Sequence, residues 1–146
     1  MLPRVANLQP DAFRSARLAF VQNAVVSSTG DVLVGGQSPL FIAASLFAIT
    51  AGGILVWNPQ VNGVAGDVSS VQLGIFTGPG ATGTTIVANQ SLTTTQVVGT
   101  TAVQGLTLTT AITTTYAGPV GWYINVGTAL AGATINLSVF GQVLQN

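Results

Sequence analysis

Residues 133–141 read Ala133-Thr134-Ile135-Asn136-Leu137-Ser138-Val139-Phe140-Gly141, and Ile135, Leu137 and Val139 alternate with Asn136 and Ser138. A side-chain period of two places one set on each side of an extended chain, so this stretch predicts a strand with one apolar face and one hydroxyl and amide face. Val103, Leu106 and Leu108, interleaved with Gln104, Thr107 and Thr109, predict a second such strand. Working outward, runs rich in Val, Ile, Thr and aromatics predict strands at 31–34, 40–51, 54–57, 69–77, 84–88, 93–98, 103–110, 122–126 and 133–141. Gly, Pro and Asn punctuate them, with tight turns expected at Asn62-Gly63 and Gly118-Pro119. Short strands at this spacing predict an all-β fold: a two-sheet sandwich or jelly roll.

The N-terminal third reads differently. Pro10-Asp11 followed by Ala12, Phe13, Arg14, Ala16, Arg17, Leu18 and Phe20 carries the chain's helix-start signal, because an acidic residue favours the positive end of the helix dipole. One or two turns are expected there. All three Arg, at 4, 14 and 17, lie in this region, and Asp11 is its one acid. Residues 1–30 are therefore expected to form an N-terminal arm or capping segment that extends to a neighbouring subunit, with residues 31–146 as the sandwich domain. Arg4, Arg14, Arg17, Phe13 and Phe20 are the candidate partner-binding residues, the Arg meeting acidic groups and the Phe anchoring apolar contact.

Charge is scarce throughout. The chain has three Arg and three Asp in 146 residues, no Lys, Glu, His or Cys, and no charged side chain after Asp67. Acid-base catalysis draws on groups tuned to titrate near neutral pH, and here only three scattered Asp and two Tyr are available. No base accompanies the many Ser and Thr, so no activated nucleophile is expected. Without Cys or His the usual zinc, copper and iron-sulfur ligand sets are missing. An oxygen-ligand cation site would need Asp11, Asp31 and Asp67 to converge, which no spacing favours. The expectation is a protein that is not an enzyme, with no cofactor and no metal.

Several segments invite functional readings that their context removes. Gly78-Pro79-Gly80-Ala81-Thr82-Gly83 matches G-x-G-x-x-G, but strand-like residues follow it and no acid remains downstream for a ribose; a phosphate loop would need Lys where Thr84 stands. A loop between strands is expected. Residues 40–57 are 18 without a charge, near the length of a membrane helix, yet Thr50, Gly52-Gly53 and Trp57-Asn58-Pro59 fit two buried strands broken at the glycines. No membrane span is expected, and Arg4, Asp11, Arg14 and Arg17 interrupt the region where a signal peptide would have its apolar core. Asn89-Gln90-Ser91 and Asn136-Leu137-Ser138 match the glycosylation sequon by chance in the absence of such a signal. Three Arg are too few for a nucleic-acid patch. Trp57, Trp122 and Tyr123 would make a carbohydrate platform only if exposed in one groove.

A neutral surface lacks the repulsion that keeps molecules apart, so self-association is expected, as a dimer or a trimer. Charged residues are 4% of this chain against about 25% in ordinary domains. Within the strands, Val71-Gln72-Leu73-Gly74-Ile75-Phe76-Thr77-Gly78-Pro79-Gly80, Thr84-Thr85-Ile86-Val87-Ala88-Asn89-Gln90-Ser91-Leu92-Thr93 and Trp122-Tyr123-Ile124-Asn125-Val126-Gly127-Thr128-Ala129 resemble the small head decoration or cement proteins of tailed bacteriophages. The resemblance covers about residues 68–146 and lies in cadence. It implies a β-sandwich or jelly-roll module on the capsid exterior, binding the major capsid protein across junctions of the shell, with no catalytic residues. The alternatives are a subunit of an extracellular filament or a tail-fibre module, and a carbohydrate-binding module.

Overall fold

The structure is a computed structural model that describes residues 16–33, 40–41, 51–93, 103–109, 115–116 and 121–145. Ten β segments follow in chain order: β1 (Ala16–Val25), β2 (Gly30–Asp31), β3 (Leu40–Phe41), β4 (Ala51–Ala65), β5 (Gln72–Gly78), β6 (Thr82–Ser91), β7 (Gln104–Gly105), β8 (Thr115–Tyr116), β9 (Gly121–Thr128) and β10 (Thr134–Gln145). One sheet has the order β1-β10-β4-β7 with β8 also on β4; the other has β2-β9-β5-β6 with β3 also on β9. All described pairings are antiparallel. The first will be called the terminal sheet and the second the central sheet.

β2 and β3 meet successive stretches of β9, and β7 and β8 successive stretches of β4. Counting each couple as one interrupted strand leaves eight strands in the orders 1-8-3-6 and 2-7-4-5. The first then pairs with the eighth, the second with the seventh, the third with the sixth and the fourth with the fifth. That nesting is a ribbon of four strand pairs rolled into two facing sheets, a jelly roll. The all-β two-sheet expectation therefore describes this chain.

The core lies between the sheets. Trp122, Ile124 and Val126 of β9 and Leu73 and Ile75 of β5 face Ile135, Leu137 and Val139 of β10 and Val61 of β4, and all are buried. The alternation in 134–140 thus does what its period demands: Ile135, Leu137 and Val139 are fully covered while Thr134, Asn136, Ser138 and Phe140 are half-buried on the outside.

Four local expectations are corrected. Residues 16–20 are strand rather than helix, since β1 pairs with β10 from Ala16↔Gly141 to Val25↔Thr134. Residues 16–30 are also not an arm: Leu18, Ala19, Val21, Ala24 and Val26 belong to the shared core, because two bulges re-phase a strand whose period-two pattern is broken in sequence. Residues 1–15 lie outside the described residues. Gly52-Gly53 and Asn62-Gly63 do not end strands, because β10 pairs with β4 along its whole length and the extra residue is absorbed at each site. Register jumps leave Gly52, Trp57 and Val64 as the unpaired residues, so the turn signals became bulges. Pro59 fits the same strand because its carbonyl accepts Leu106 N–H at 2.8 Å, which turns its hydrogen-less nitrogen toward β7 and away from the β10 ladder. Finally, 103–110 is strand only at Gln104–Gly105, and β5 begins at Gln72 after a 3-10 turn, Val68–Ser70. The expected turn at Gly118-Pro119 and strand residues 94–98 lie outside the described residues.

Among the described residues no helix is long and apolar enough to cross a membrane. Of 40–57, Leu40–Phe41 and the part from Ala51 are strands, and 42–50 lie outside the described residues.

Candidate interaction surfaces

A strand-rich surface is first a question of edges, since unpaired edge strands invite addition of foreign strands. On one side the roll is sealed by 104–109. Leu106 N–H bonds Pro59 of β4, while Thr109 N–H bonds Ile86 O of β6 at 2.9 Å. Between them the Gln90 side chain acts as a surrogate peptide: its Nε2 donates to Thr107 O at 3.1 Å and its Oε1 accepts Thr107 N–H at 3.0 Å. Ala88 N–H donates to Thr109 Oγ1 and Gln104 Nε2 to Ser91 O. The edges of β4 and β6 are thereby closed by one crossing segment.

β1 is the edge at the other side of the terminal sheet. Its two bulges spoil the flat register that an added strand needs. Asn23 sits in the second with φ +52, a conformation Asn tolerates, and its N–H is turned inward to Asn136 Oδ1 at 2.9 Å. β1 therefore offers its outer face rather than its edge.

That face holds two of the sequence-predicted residues. The Arg17 guanidinium lies 4.5 Å from the centroid of the Phe20 ring, a cation–π contact on a ring that stays 44% exposed. Across the sheet, Arg17 stands beside Phe140 and Phe20 beside Ser138, which in turn stands beside Gln60. Sequence reasoning did not single out Phe140, although the outward phase of the 134–140 alternation already put it there. Arg4, Phe13 and Arg14 lie outside the described residues.

The outer face of the central sheet is built around Asp31. Asp31, Asn125 and Gly74 are direct neighbours across β2, β9 and β5. Asn125 Nδ2 donates to Asp31 Oδ1 at 3.1 Å, and Asn89 Nδ2 of β6 reaches Asn125 Oδ1 at 3.4 Å. This reach needs glycine: a Cβ on Gly74 would stand 2.6 Å from Asn89 Oδ1 and 2.8 Å from Val87 O, and one on Gly127 would stand 2.7 Å from Asn89 Nδ2. Gly74→Ala is thus expected to cost about 1–3 kcal/mol, since Val87 O is backbone and cannot swing aside. Urea unfolding should show a lower midpoint with unchanged slope; an unchanged midpoint would contradict the notch.

Asp31 Oδ2 also accepts Gly80 N–H at 2.8 Å. A straight β5 would carry Gly80 roughly 20 Å past Gly74, so the β5–β6 hairpin must curl back over the sheet. Its three register shifts supply the bend. Phe76, which stands outside the inter-sheet core, is only 6% exposed. The glycine-rich stretch 78–83 is accordingly the turn of a hairpin, with Pro79 to Ala81 between the strands.

The described residues do not bring chemistry-bearing groups together. Asp67 sits apart from Asp31, capping the 3-10 turn through Ser69 N–H at 3.0 Å. That bond, and then the Ser69 side chain, hold its carboxyl below the usual carboxylate range. Asp11 lies outside the described residues. Trp122 is fully buried, so it cannot join an exposed sugar platform, and Tyr123 is half-buried on the opposite side of β9. Both sequon amides are engaged, Asn89 with Asn125 and Asn136 with Asn23.

Comparisons with family models, with curated proteins and with solved structures give no match.

Proposed function

We propose that this chain is a non-enzymatic structural protein of a virion, a decoration or cement protein that binds the major capsid protein on the capsid exterior and stabilises the shell. The jelly roll hosts many functions, viral capsid domains among them, and does not by itself choose between them. The observation that carries the reading is the terminal sheet's outer face. It displays Phe20, Phe140, Ser138, Asn136 and Gln60, with Arg17 as its one charge among the described residues. A face of hydroxyls, amides and rings can be buried against a shell with little desolvation of charge. Stable interfaces bury about 1,600 Å² in total, about 800 Å² on each partner, so contacts with three subunits would cover roughly a third of a surface of 7715 Å². A protein covered in this way has no need of charge repulsion, which accounts for the composition.

The cadence shared with phage decoration proteins supports the same reading, and the burial of Trp122 weakens the carbohydrate-binding alternative. The test is to heat particles carrying the protein beside particles stripped of it and follow release of the genome. Decorated shells are expected to release at a higher temperature; identical release curves would sink the cementing role.

A further inference from the structure

The chain contains a single Asn-Gly step, Asn62-Gly63, and it lies inside β4 rather than in a turn. Such a step has a reaction of its own. The backbone nitrogen of the glycine attacks the Asn Cγ and expels the side-chain nitrogen, which leaves as ammonia with the hydrogen of the attacking N–H. Water then opens the resulting succinimide ring at either carbonyl, breaking that carbonyl's bond to nitrogen and giving aspartate or isoaspartate. Glycine favours the attack because it has no Cβ to shield its nitrogen and its backbone turns freely. Extended structure opposes it, since the Asn must turn its ψ out of the strand region to bring that nitrogen onto Cγ.

One rung of the sheet holds that ψ. The Pro59 carbonyl is directed to Leu106 N–H, away from β10, and the register with β10 is regular from Pro59↔Val139 to Gly63↔Ile135. Alternation therefore turns the backbone groups of Val61 and Gly63 to the same side as those of Pro59, and the N–H and C=O of Asn62 to Asn136 of β10. Turning ψ of Asn62 swings its C=O off Asn136, so the reaction waits on the opening of this rung. The rung stands at a weak place. Val64 is the unpaired residue of the bulge that follows, and on the other side β7 ends at Gln104, the neighbour of Val61, with Val103 beyond it 55% exposed. Asn62 and Gly63 are both half-buried, within reach of water. We propose that Asn62 is a modification site of the folded protein, converted to aspartate or isoaspartate at a rate set by local opening of the Asn62–Asn136 rung. Val61 is buried toward the core, so the product places a carboxylate on the outer face of the terminal sheet, where Arg17 is the one charge among the described residues. Isoaspartate also adds a methylene to the backbone at the last regular rung before the bulge. The modification does not depend on the capsid reading and is tested without particles.

The full chain is incubated at mildly alkaline pH in native buffer and in concentrated urea, and peptide mass spectrometry follows the gain of one mass unit at each Asn, with fragment ions separating isoaspartate from aspartate. In urea Asn62 is expected to convert ahead of every other Asn. Gly63→Ala, read in urea where its folding plays no part, should slow that conversion, because a methyl group crowds the attacking nitrogen. In native buffer Asn62 is again expected to lead, at a rate roughly 10- to 1,000-fold lower, the range for an opening well short of global unfolding. Reaction through the globally unfolded chain alone would instead be slower by roughly several thousandfold or more. Equal rates in buffer and urea would remove the gate. An Asn62 that stays intact in the folded chain, or converts only in step with global unfolding across a urea series, would overturn the proposal. So would native conversion at another Asn ahead of Asn62, or a Gly63→Ala chain that converts in urea as fast as the wild type.

Discussion

Deletion of residues 1–30 is expected to unfold the protein outright. The deletion removes β1, the whole partner of β10 on that side, together with the buried Leu18, Val21, Ala24 and Val26. Full burial of a Val or Leu side chain stabilises by about 1.5–3 kcal/mol, so the three larger ones alone contribute roughly 5–9 kcal/mol. Domains of this kind have a total stability of about 5–15 kcal/mol. Little or nothing is left for the remainder. Circular dichroism and urea unfolding of the truncated chain would show this as loss of the cooperative transition. A truncated chain that unfolds cooperatively at the midpoint of the full chain would mean that β1 is dispensable and that the arm expected from the sequence extends to residue 30 after all.

Trp122→Ala should be the most damaging single substitution on β9, at about 3–5 kcal/mol. Trp122 is the largest of the fully buried side chains among the described residues, and truncating a buried Trp loses its transfer free energy and leaves a cavity that the neighbours only partly fill. Tyr123 points the other way and is half-buried, so Tyr123→Ala should cost clearly less. Urea midpoints of the two variants beside the wild type give the comparison. Equal losses would contradict the alternation of β9, and a stable Trp122→Ala protein would contradict the placement of Trp122 in the core.

These two substitutions mark where the sequence was legible. Trp122-Tyr123-Ile124-Asn125-Val126 alternates cleanly, and both its strand and the all-β class follow from period and composition. Whether Trp122 or Tyr123 faces the core does not follow, because period two leaves the choice of face open until the second sheet is in place. β1 was illegible for a different reason. Bulges at Arg17/Ala19 and Val21/Ala24 shift its phase twice within ten residues, which erases the alternation that would have announced a strand. The glycine and proline signals in 52–63 misled in the opposite sense, since pairing with β10 along the full length of β4 outweighs local preference. On the surfaces, Arg17 and Phe20 were legible as an exposed cation and ring. The Asp31–Asn125–Asn89 row was not, because it joins residues 94 and 36 positions apart.

The proposed place of this jelly roll is the exterior of a capsid. Its most direct test is to mix the purified full-length chain with intact tailed-phage particles from its own source and separate them on a density gradient. The protein is expected to travel with the particles, at a ratio to the major capsid protein that saturates as more is added. Protein that remains at the top of the gradient at every ratio, while the particles run intact below it, would contradict the claim.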